Sequence, residues 1–154
     1  MTNFKSLTIW TIVLSFLVLL GLGHGIVCIG LMEVFSIFGI LTGHPIHDEY
    51  FSWSLAGSYD QSIGAATLLT LSGQALLLIS LFINGSSKIR LKLLGLLLLW
   101  FEYYYLIHNF INDSTSQLSL FSGIPFFISS GLLAYRMIKE KWSSAKSFPS
   151  IKNH

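Results

Sequence analysis

Four apolar runs, about Leu7–Leu31, Ser62–Asn84, Leu91–Phe110 and Leu118–Ile138, dominate this chain, and each is about as long as a bilayer's hydrocarbon core is thick. A backbone in lipid must pair its own N–H and C=O groups, so such runs fold as helices. Only 10% of the 154 residues are charged and 53% are hydrophobic, whereas soluble domains carry about 25% charge. These features predict an all-α membrane protein, a four transmembrane helix bundle forming a single domain over 1–154. The first run is too long for a cleaved signal peptide, and no small-residue cleavage site follows it. Its apolar character continues to Leu41, interrupted by Glu33. An outer loop, 42–61, leads to the second run. Gly85-Ser86-Ser87 forms a turn, Asn112–Ser116 a polar loop, and 139–154 a basic cytoplasmic tail, while Pro125 falls in the first turns of the fourth run.

With alternating spans, every basic residue falls on one side: Lys5, Lys88, Arg90, Lys92, Arg136, Lys139, Lys141, Lys146 and Lys152. Asp48, Glu49, Asp60 and Asp113 fall on the other. The positive-inside rule then places both termini in the cytoplasm, as for a multi-pass protein of a bacterial inner (plasma) membrane. Membrane orientation accounts for the basic residues, so no nucleic-acid partner is implied. The expected partners are the lipid bilayer, other membrane subunits or a second copy of the chain. A single cysteine, Cys28, excludes an internal disulfide and any CxxC redox or zinc motif.

Within the third run, Trp100-Phe-Glu-Tyr-Tyr-Tyr-Leu-Ile-His-Asn109 stands out. Glu102 and His108 lie roughly 16 and 25 Å along the helix. Glu102, Tyr105 and His108 step round it by about 60° at a time, onto one arc. An ionisable group at mid-bilayer costs about 2.5–3.5 kcal/mol on insertion scales and must face protein or water. Orientation converts position into depth. Gln74 falls near the level of Glu102, in a midplane tier; His24, Asp60, His108 and Asn109 form an outer tier.

Four readings follow. Gln74 and Glu102 can fasten helices by hydrogen bonding, with His24 and His108 satisfied by hydroxyls. Alternatively, Glu102 and the histidines line a ligand or proton-handling pocket open to the outer face, walled by Trp100, Tyr103, Tyr104 and Tyr105 and sized for a quinone. A third reading is haem, with His24 and His108 as axial ligands at matched depth. The fourth is an outer-loop metal site from His44, His47, Asp48 and Glu49, although H-x-x-H-D-E is not H-E-x-x-H and Pro45 opposes a helix there. Gly21 and Gly25 form a small-x-x-x-small pattern on the first helix, and Gly57, Gly64 and Gly73 offer close approach on the second. Ser122, Ser129 and Ser130 are expected to bond their own helix carbonyls.

Gly23-His24-Gly25 near the end of a first span, then Leu55-Ala-Gly-Ser-Tyr-Asp-Gln-Ser-Ile-Gly64 opening a second, resembles the DoxX-like family of small four-helix membrane proteins. That family tends to carry an acidic residue a few positions before a glycine in its second span, here Asp60 and Gly64. Some members are small subunits of a thiosulfate:quinone oxidoreductase. The resemblance implies roles for His24 and Asp60 and a quinone-facing position. The long His44/His47 loop and Glu102-Tyr-Tyr-Tyr105 depart from the family pattern. The expected ligand-binding set is His24, Asp60, Gln74, Glu102, Tyr105 and His108. It would serve a small-molecule or quinone-adjacent subunit of a membrane complex; the competing class is an accessory subunit with no ligand. No nucleophile–base pair or phosphate loop marks a self-contained enzyme.

Overall fold

The computed structural model describes residues 4–22, 25–43, 59–108 and 110–146, in backbone alone at 22, 59–61, 86 and 141–146. Among these the chain runs through α1 (Phe4–Phe16), β1 (Leu19–Leu22), β2 (Gly25–Cys28), α2 (Ile29–Leu41), α3 (Tyr59–Phe82), α4 (Ser86–Ile107), α5 (Ser114–Ser122) and α6 (Ile124–Lys146). The fold is mostly helical, as the apolar runs predict. One stretch, Ser62–Phe82 in α3, is by itself long and apolar enough to cross a membrane, and α5 with Ile124–Glu140 makes a second if that pair, bent by 48°, is one span. Pro125 accounts for the bend: it has no N–H to offer the carbonyl of Phe121, and its ring crowds that carbonyl. The fourth run is therefore divided at Gly123.

The first apolar run departs most from expectation. Read as one helix over Leu7–Leu31, it is instead a short helix, an antiparallel hairpin and a second short helix. Gly21, Gly23, Gly25 and Gly30 each lower helix propensity by about 1 kcal/mol relative to alanine, and Ile26 and Val27 suit a strand. The register pairs Leu19 with Cys28, Leu20 with Val27, Gly21 with Ile26 and Leu22 with Gly25. The small-x-x-x-small pair thus lies on strands, not on one helix face, and Gly21 makes its close approach to Thr115 of α5. A two-stranded hairpin leaves edge groups unpaired, and α5 covers that edge. The Leu19 N–H donates to Ser122 Oγ (2.9 Å), Ser119 Oγ donates to the Leu19 carbonyl (2.8 Å), and the Ile29 N–H donates to the carbonyl of Val18 (2.8 Å).

The tightest helix pair is α3 with α4. A Cβ on Gly73 would stand 2.9 Å from the Gly95 carbonyl oxygen, and one on Gly95 would stand 2.8 Å from that of Gly73, so the two backbones touch where neither has a side chain. Thr11 and Ser129 share a hydrogen bond of 2.9 Å between α1 and α6. Ser122 and Ser130 bond carbonyls of their own helical turns, Ser119 and Phe127, as expected; Ser129 joins α1 instead.

The distribution of polarity is inverted relative to a water-soluble fold. Thr8, Thr11, Ser15, Glu33, Ser62, Thr67, Thr70, Gln74, Lys92, Glu102 and Ser130 are buried beside core residues such as Leu20, Ile29, Leu99 and Phe126. Meanwhile Phe35, Phe38, Leu97, Phe101, Ile128 and Leu132 are exposed, and Leu41 and Phe82 reach 78% and 84% exposure. The start of α1, the α3–α4 turn and the last turns of α6 meet at one end around a common cavity, bringing Lys88, Arg136 and Lys139 together. Lys5 and Lys88 are also within electrostatic reach of Lys92.

Candidate functional site: a buried pair of acids

Reversal of the chain at the hairpin carries α2 back against α1 and α3. A Cβ on Gly30 would strike the Phe16 ring, and one turn further on Glu33 is only 1% exposed. Gln74 of α3 meets it there. Its Nε2 donates to Glu33 Oε1 (3.0 Å) and to Ser15 Oγ (2.9 Å), so both amide hydrogens are used. Ser15 in turn donates to the carbonyl of Ile12 (2.8 Å). Three elements, α1, α2 and α3, are thereby tied through one amide.

Glu102 of α4 completes the cluster. It is 1% exposed, hydrogen-bonds the Thr70 hydroxyl and lies within electrostatic reach of Glu33. Thr70 precedes Gln74 by one helical turn, so α3 presents both partners on one face. Thr70 also donates to the carbonyl of Ala66 at 2.8 Å. One oxygen of each acid, Glu33 Oε2 and Glu102 Oε1, is buried without a hydrogen-bond partner. Among the described residues no basic side chain acts on either acid; Lys92 lies about 15 Å back along α4 from Glu102.

Of the residues expected at one level, Gln74 bonds Glu33 and Glu102 lies within electrostatic reach of Glu33. Tyr105 is buried a turn beyond Glu102 and meets Phe101 edge-on at 5.6 Å between ring centres. The half-buried His108 sets Nδ1 2.7 Å from the Tyr105 carbonyl of its own helix. The expected aromatic walls are not walls. The Trp100 indole N–H donates to Ser130 (2.9 Å) and Tyr103 to the Leu120 carbonyl (2.6 Å), so both fasten α4 to α5 and α6. Tyr104 is half exposed. The side chains of His24 and Asp60, and all of His44, His47, Asp48 and Glu49, lie outside the described residues. Among the described residues no three His, Cys, Asp or Glu side chains are grouped to hold a metal ion.

Sequence reasoning passed over Glu33, Ser15 and Thr70. The signal for Glu33 was present, a lone carboxylate in some 35 apolar residues. Read along a continuous helix, however, it fell at the membrane boundary, where a charge is unremarkable. This chain matches no family model, no characterised protein and no solved structure.

Proposed function

We propose that this chain is a multi-pass membrane protein whose Glu33–Gln74–Glu102 site takes up and releases a proton inside the bilayer. The inverted polarity supports the membrane setting: exposed Phe, Leu and Ile on all six described helices would face lipid, and the hydroxyls and acids sit within. Convergence of the basic segments at one end supports a layout with both termini on the cytoplasmic side. The observation that carries the function is the pair of buried acids, each with an unbonded oxygen and, among the described residues, no basic side chain within electrostatic reach. Two carboxylates in such surroundings cannot both hold a negative charge without a counter-charge, and a proton is the smallest one.

Infrared titration of the lipid-reconstituted protein tests this. A carboxylic-acid carbonyl band should bleach as pH rises, and Glu102→Gln and Glu33→Gln should each remove or shift it. A spectrum without such a band, or one unchanged by both substitutions, refutes the reading. The competing reading, that the cluster only fastens helices, draws on Gln74's two satisfied N–H groups; it predicts loss of stability with no titrating band. The DoxX-like resemblance rests on His24 and Asp60 and the haem reading on His24 and His108, so the present proposal does not rest on either.

A further inference from the structure

The basic end holds a cavity of about 830 Å³ between the start of α1, the α3–α4 turn and the last turns of α6. Lys88, Arg136 and Lys139 line it, and one carboxylate, Glu140, offsets one of their three charges. Phe4 forms part of the wall. Behind it the fully buried Lys92 places Nζ 3.9 Å from the centre of the Phe4 ring and makes no hydrogen bond. The cavity also meets the beginning of α4, which opens on Gly85 with no side-chain cap, so the positive end of a 22-residue helix adds to the field. Tyr135, 63% exposed, stands at the rim. Phe82 and Ile138, next to the cavity's residues in the chain, are 84% and 59% exposed. A phosphate site thus adjoins surface suited to acyl chains.

We propose that this cavity binds the phosphate of an anionic phospholipid headgroup. The assignment needs the membrane setting argued above but not the acid pair. Free phosphate shares the chemistry; the flanking apolar side chains favour the lipid. The test is thermal unfolding of the full chain in zwitterionic phosphatidylcholine nanodiscs, titrated with phosphatidylglycerol or, separately, with inorganic phosphate. Phosphatidylglycerol should raise the midpoint. Lys88→Gln and Lys139→Gln should each weaken its apparent affinity by about fivefold, while Arg90→Gln, an exposed charge outside the cavity, should weaken it far less. Equal losses in all three variants would mean a diffuse charge effect and overturn the site. Equal protection by inorganic phosphate would overturn the lipid assignment. The unmodified chain gives a second reading should the variants fold poorly. Its lipid-dependent shift should shrink as salt rises above about 0.15 M, where screening acts within about 8 Å; a shift indifferent to salt counts against the proposal. Glu102→Gln should leave the lipid response intact, which separates failure here from failure of the proton reading. A chain that is monodisperse in water without detergent would remove the membrane premise of both.

Discussion

At the scale of single residues, Gln74 decides whether three elements share one centre. Its amide hydrogen-bonds both α1 and α2, and a methionine of similar length would keep its volume without its hydrogens. Interhelical hydrogen bonds in membranes average about 0.6 kcal/mol and reach about 1.7. Gln74→Met should therefore destabilise the protein by about 1–2 kcal/mol, measured by denaturant unfolding in mixed micelles; a neutral result would mean that Glu33 and Ser15 re-pair locally. Gln74 and Glu102 were legible in the sequence because polar groups in apolar runs are conspicuous and helical rise converts position into depth. Glu33 was equally conspicuous, but its sequence position carried no depth, because depth by counting holds only while the helix is continuous.

At the scale of elements, α5 is held by its first residue's neighbour. Asp113 caps it: its carboxylate accepts from the backbone N–H of Thr115 (3.2 Å) and Ser116 (3.0 Å) and from both hydroxyls. Partial burial pushes this carboxyl upward, but the four hydrogen bonds outweigh it and hold it below the usual carboxylate range. A depressed folded value means stabilisation that is complete above the unfolded value and is lost as pH falls through the folded one. Amide protection in the first turn of α5, taken relative to intrinsic exchange at each pH, should therefore fall on acidification below about pH 4. Asp113→Asn should blunt that dependence, and Asp113→Ala should cost about 0.5–2 kcal/mol. The cap matters beyond its own helix, because Ser119 and Ser122 of α5 hold the backbone of β1. The broken fourth run was partly legible from Pro125, whose missing N–H weakens a helix without fixing where it divides. The hairpin was not, since glycine-rich apolar sequence suits a close-packed helix as well as a strand.

At the scale of the whole molecule, α1 begins and α6 ends beside the same cavity. In a Cys28→Ser background, single cysteines at Ser87 and Lys139 should react with an impermeant maleimide from one face of the membrane, and one at Ser114 from the other. Labelling of Ser87 and Ser114 positions from the same face would dismantle the proposed crossing of the membrane by α4. The sequence by itself determined the helical class, through apolar runs long enough for helices, and the gathering of lysine and arginine at one end, through their spacing along alternating segments. Both are properties that can be counted along a chain. Only the tertiary structure decided that Glu33 joins Gln74 and Glu102. That meeting depends on a strand edge at Leu19 finding hydroxyl partners 100 and 103 residues away. Without them the unpaired backbone would favour a continuous helix, and the two acids would lie at different heights.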